Sequence, residues 1–345
     1  MVFDACLADL DARLDDQQEL AKRQEWRRFL DDRWEGEYFT PSPRAPAPAS
    51  VDWPAIHIND AIEDVDLMVL SELAGCSDAL ADGGRSPLNV RCNYGTAIMP
   101  LLFGCELFVM PRETSTLPTA VPFHSDDDVR RLLDAGVPDV RTGLGGRLFD
   151  TAERFLEVFE AYPAVGRNVT LYHPDVQGPV DIAEMVWGSE MFYAFIEQPD
   201  LVKQFLALLT DTYTAFMTAW FDLVPPTPEF SPHWGLVHKG PLMLRNDSLM
   251  NLSGEMYVEF VRPADQALFD RFDGGAIHFC GRGDHYIEAM CEMDGLTAIN
   301  MSQPELNDMD VIFRNTVDKG IKLVGFGGMD LDNVGRPLRG HVQTG

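Results

Sequence analysis

The chain has 345 residues, 46% hydrophobic and 24% charged, which is apolar enough for a sizeable core and too apolar for a disordered chain. Its net charge of −28, with a pI near 4.4, sets it against nucleic acid and anionic membrane surfaces. No apolar run approaches the roughly 20 residues of a membrane-spanning helix, and Met1-Val2-Phe3-Asp4-Ala5-Cys6 has neither the basic nor the apolar part of a signal peptide, so a soluble cytoplasmic protein is expected.

Residues 3–35 read as helix, because Leu7, Leu10 and Leu14 recur at helical spacing among charged positions. Pro41-Ser42-Pro43-Arg44-Ala45-Pro46-Ala47-Pro48 follows as an extended linker. Residues 1–50 are therefore expected to form an N-terminal helical arm. It serves either as a lid or homodimer contact or as a helix packed on its own domain; helical propensity does not choose between these. From residue 51 to 345 strand-like and helix-like patterns alternate. Strands are expected at 88–92, 106–110, 168–172, 236–245, 274–279, 295–301 and 321–326. Helices are expected near 60–74, 126–135, 150–160, 181–222, 253–272, 284–293 and 307–318, two of them announced by the capping runs Asp126-Asp127-Asp128 and Asn307-Asp308. This alternation predicts a parallel sheet covered by helices, either a (β/α)8 barrel or a doubly wound sheet. Gly143-Leu144-Gly145-Gly146 follows no clear strand and reads as a loop, not as a nucleotide cradle. The scattered cysteines include no C-x-x-C pair, which argues against a disulfide framework.

The chemistry gathers at strand ends. In Ala276-Ile277-His278-Phe279-Cys280-Gly281 the histidine and cysteine stand two apart on a strand and point the same way. An imidazole and a thiol side by side are two of the three protein ligands of a catalytic zinc; a buried His and a buried Cys are the plainer alternative. Other strands end in Arg91, Asn93 and Tyr94, in His173 and Asp175, in Arg245, Asn246 and Asp247, and in Asn300 followed by Glu305. In a (β/α)8 barrel such ends form one rim, where the active site sits. Each has a structural rival: ion pairing for Arg91 and Arg245, an Asx turn for His173-Pro174-Asp175, a cap for Asp247, and a helix-dipole role for Glu305.

From Gly178 to Gly325 the chain resembles the uroporphyrinogen decarboxylase superfamily, which also contains cobalamin-dependent methyltransferases such as methylcobamide:coenzyme M methyltransferase. The resemblance is carried by Gly178-Pro179, by Asn246-Asp247-Ser248 before Leu252-Ser253-Gly254-Glu255-Met256-Tyr257, and by His278-Phe279-Cys280-Gly281. Asn89-Val90-Arg91-Cys92-Asn93-Tyr94-Gly95 and Leu101-Leu102-Phe103-Gly104 extend it towards the N-terminus. It implies a distorted (β/α)8 TIM barrel. In the methyltransferase branch an H-x-C on this strand binds zinc and a later cysteine completes the set. His278 and Cys280 match, but nothing after Cys291 is a cysteine. The arginine-rich N-terminal segment of the decarboxylase branch is missing too.

The leading expectation is zinc-dependent methyl transfer. Zinc would be held by His278, Cys280 and Glu305, with Asp247 or His285 as replacements for the last. It would activate a thiol-type acceptor towards a methyl donor or a methyl-corrinoid carried by a partner protein. Asp247, His285 and Tyr94 are the candidate catalytic groups; Arg91, Asn93, His173, Arg245 and Asn246 are the candidate substrate-binding groups. Two alternatives stay open. One is metal-free decarboxylation of a tetrapyrrole-like polycarboxylate clamped by Arg91 and Arg245. The other is non-catalytic corrinoid or metal binding.

Overall fold

The computed structural model describes residues 2–327 and 330–345, and within them the chain is a mixed α/β protein. The strands are β1 (Asn89–Val90), β2 (Glu106–Phe108), β3 (Thr119–Val121), β4 (Thr170–Leu171), β5 (Ser231–His233), β6 (Leu236–His238), β7 (Leu242–Arg245), β8 (Gly275–Phe279), β9 (Leu296–Met301) and β10 (Lys322–Leu323). β7, β8, β9 and β10 lie side by side in chain order and all parallel, while β1 pairs in parallel with β4. Helical segments fill the crossovers between successive parallel strands, as parallel pairing requires. Single parallel bridges continue the series past β10, from Leu323 to Val342 and from Gln343 to Phe39. No helix among the described residues is long and apolar enough to cross a membrane.

The parallel strands are buried on both faces, so they read as nearly continuous apolar runs. Leu242, Leu244, Ile277, Ile299 and Leu323 join the main helix-covered core. Met243, Ala276, Ala298 and Val324 face the other way and are covered by Trp26, Phe29 and Phe39. The N-terminal segment thus packs on its own chain. It is two helices, Val2–Arg13 and Asp16–Leu30, because Asp15 breaks the run and accepts the amides of Gln17 and Gln18 as a cap. A buried pair, Arg44 Nη2 to Glu19 Oε2 at 2.7 Å, ties the proline-rich stretch to the second helix.

Several boundaries differ from the sequence reading for identifiable reasons. The run 236–245 is two strands, since Pro241 has no amide to donate; β6 folds back on β5 as an antiparallel hairpin. β2 likewise belongs to an antiparallel hairpin with β3, outside the parallel sheet. The run 181–222 is three helices, Pro179–Trp187, Met191–Glu197 and Pro199–Leu223, divided at Gly188 and Pro199. Within 253–272 a π-helical turn, Tyr257–Val261, precedes Pro263, whose missing amide disrupts the regular ladder. Gly143-Leu144-Gly145-Gly146 is not a loop but opens the helix Gly143–Ala161. A Cβ on Gly145 or Gly146 would collide with the carbonyl oxygens of Val140 and Arg141, so these glycines answer a tight approach of the preceding chain.

Candidate metal centre

Strand register builds the centre. Arg245 on β7 is level with His278 on β8, and His278 is level with Asn300 on β9. Side chains alternate along a strand, so these three share the face of Met243, Ala276 and Ala298. Asp247 and Cys280 each follow two residues later, at the C-terminal ends of β7 and β8. His278 Nε2 lies 3.3 Å from Asp247 Oδ1 and 3.6 Å from Cys280 Sγ, and the three ligand atoms lie within 4.8 Å of one another. Asn300 Nδ2 donates to the Val324 carbonyl at 2.7 Å, which turns its oxygen to His278. His278 Nδ1–H donates to that oxygen at 2.6 Å, so Nε2 is the nitrogen presented to Asp247 and Cys280. Cys280 Sγ rests 3.3 Å from Ser302 Oγ.

The electrostatics favour positive charge on His278, a proton that a bound metal would displace. Burial opposes charge on His278, yet the Asp247 carboxylate and the Cys280 sulfur outweigh it and push its pKa up to about 9. Asp247 is held below its usual value although burial opposes this, because the contacts with His278 and Cys280 favour its charged form. Asp247 Oδ1 is buried and faces His278 Nε2 at 3.3 Å. A carboxylate oxygen, an oriented imidazole nitrogen and a thiol converge as a donor set that suits zinc. Asp247 and Cys280 are only partly buried, so the centre is open on one side.

Trp234 belongs to the same region and was not foreseen. It occupies the turn of the β5–β6 hairpin with φ +49°, a conformation uncommon for a bulky side chain. Its ring lies 4.6 Å from the Arg245 guanidinium carbon and 5.2 Å, edge-on, from the His278 ring. The polar, proline-containing strand Ser231–His233 carries little strand signal, so the hairpin is not evident from the sequence.

The other candidates divide. Glu305 is exposed on the turn Pro304–Leu306 and is not part of the cluster. His285 donates from Nε2 to the Leu252 carbonyl at 2.8 Å and packs on Tyr286. Tyr94 is buried, its hydroxyl 2.7 Å from Thr151 Oγ1, and burial pushes its pKa up to about 12. Arg91 and Arg245 converge on Asp175, which is an ion-pair hub and not merely an Asx turn. Asn93 donates to Glu72 Oε1 at 2.9 Å, and Glu72 also accepts the Arg91 amide. His173 is buried between the Met243 amide, which it accepts at 3.1 Å, and the Pro174 carbonyl; burial holds its pKa well below the ordinary histidine value.

Asn246 turns inward and donates from Nδ2 to Asp265 Oδ2 at 2.7 Å. Asp265 is fully buried, and burial with the charge of Asp181 pushes its pKa up to about 8. An unfolded aspartate titrates near 3.9. The stability linked to this raised pKa is therefore complete below about pH 4 and is lost as pH rises to about 8. The urea midpoint of Asp265→Asn is expected to fall less than that of the native chain between pH 5 and pH 8. Equal slopes would show that Asp265 does not hold a proton.

No protein-family model and no curated protein matches the chain. Among solved structures it is similar to a methyltransferase from Methanosarcina mazei, with a TM-score of 0.63 and 16% identity over 88% of this chain and 82% of that one. At this identity the likeness is one of fold.

Proposed function

We propose that this chain is a methyl-transfer enzyme related to the uroporphyrinogen decarboxylase superfamily, with residues 1–50 as an arm on a distorted (β/α)8 barrel spanning 51–345. Asp247, His278 and Cys280 would hold a catalytic zinc. The observation that carries this reading is the convergence of those three donors at adjacent strand ends, with His278 oriented by Asn300. The fold likeness to a methyltransferase supports it. Bound there, zinc supplies Lewis acidity that lowers the pKa of a thiol-type acceptor at neutral pH. Asp247 stands in for the later cysteine of the family pattern, which zinc chemistry allows. Asp247 and Cys280 bring negative charge to the cation, Asn300 fixes the imidazole, and Trp234 shields one side of His278 from water. A methyl donor or a methyl-corrinoid on a partner protein would supply the methyl group. The decarboxylase alternative has less support, because Asp175 engages both arginines that would clamp carboxylates.

Metal analysis of the purified chain tests the reading. About one equivalent of zinc is expected, falling with His278→Ala plus Cys280→Ala. Less than about a tenth of an equivalent, unchanged by that double substitution, would sink it. Demethylation of methylcobalamin by a small thiol, dependent on His278, is the matching activity assay.

A further inference from the structure

Helix Pro179–Trp187 grips the loop that carries Asp247. Asp181, in its first turn and 4% exposed, accepts the Asp247 amide on Oδ2 at 2.6 Å and the Ser248 amide on Oδ1 at 2.8 Å. Glu184, three residues on and on the same face of the helix, accepts the Ser248 hydroxyl. Just before the helix, the Gly178 amide donates to the Arg245 carbonyl at 2.7 Å, and a Cβ on Gly178 would collide with the Asn246 side chain. The segment from Arg245 to Ser248 is therefore docked on one helical N-terminus.

Hydrogen bonding alone would let a neutral acceptor do this work. A buried carboxylate beside a second one is an expensive choice, since each disfavours the other's charge. Both oxygens of Asp181 contact amides, and among the described residues it has no ion pair. A cation held by Asp247 offsets that repulsion. We propose that Asp181 is a positioning residue of the metal centre: by holding the amides of Asp247 and Ser248 it aims the Asp247 carboxylate at His278. The inference rests on the reading of Asp247 as a zinc ligand.

The test uses the full chain, zinc affinity from competition with a chromophoric chelator, and a double-mutant cycle. Asp181→Ala is expected to weaken zinc binding about 10- to 100-fold, the usual effect of losing such a supporting group. Asp181→Asn keeps one acceptor and carries the test if the alanine variant fails to fold; a smaller loss is expected. On an Asp247→Asn background either change at 181 should add almost nothing, because the ligand it serves is gone. Amide hydrogen exchange at 247 and 248 should speed up in the Asp181 variants. Two results overturn the proposal: additive losses in the cycle, or unchanged zinc affinity despite faster exchange. A native chain that takes up no zinc removes the functional reading and this inference together. Zinc uptake with additive losses removes only the inference.

Discussion

Asp175→Ala is expected to destabilise the chain by about 3–5 kcal/mol, the cost of leaving buried charges without their partner. Asp175 is the carboxylate on which Arg91 and Arg245 converge, Arg245 Nη2 lying 2.5 Å from Asp175 Oδ1. The side chains are 2% exposed for Arg245, 15% for Arg91 and 12% for Asp175, so water does little to solvate either guanidinium. Arg245 also donates to the Val176 carbonyl at 3.1 Å, but its Nε has no hydrogen-bond partner, so the lost anion cannot be replaced locally. Arg91→Met, which leaves one cation facing one anion, should cost less. Equilibrium unfolding in guanidinium chloride measures both. A loss below about 1 kcal/mol for Asp175→Ala would mean that the arginines turn out to solvent or find another carboxylate. The variant should also loosen Trp234, whose ring packs on Arg245 beside His278.

What was legible in the sequence follows from the range of the signal. His278 and Cys280 could be paired because strand alternation is a local rule. For Asp247 the sequence leaves both a cap and a chemical role open, because its role depends on how the loop after β7 approaches β8. Glu305 follows a strand in sequence, which suggests a rim position, but the turn at Pro304 carries it outward. Asn300 went unread as a partner of His278 because register between strands is not written in either strand alone. A polar residue inside the apolar run Leu296–Met301 was the available hint. Asp181 sits in the first turn of its helix, a common place for an acid, and only its bonds to a distant loop set it apart. The parallel α/β character was readable from periodicity. The inner cover of Trp26, Phe29 and Phe39 was not, since it joins segments far apart in the chain.

Asn300 offers the second large effect, and two substitutions there separate orientation from packing. Asn300→Leu removes the acceptor of His278 Nδ1–H and strands the Val324 carbonyl, which Nδ2 reaches at 2.7 Å. The stranded carbonyl should cost about 1–3 kcal/mol of stability. The free imidazole should weaken zinc binding about 10- to 100-fold, because a ligand histidine without its outer partner is neither oriented nor made more basic. Asn300→Asp strands the same carbonyl but gives His278 a stronger acceptor. It should therefore lose similar stability while keeping zinc affinity at or above the native level, as carboxylate–histidine–zinc arrangements do. Calorimetric melting and chelator competition on both variants decide the matter. If both lose affinity in proportion to stability, Asn300 is only a core residue. If they part in affinity while matching in stability, the hydrogen bond to Nδ1 is what prepares His278 to bind a metal.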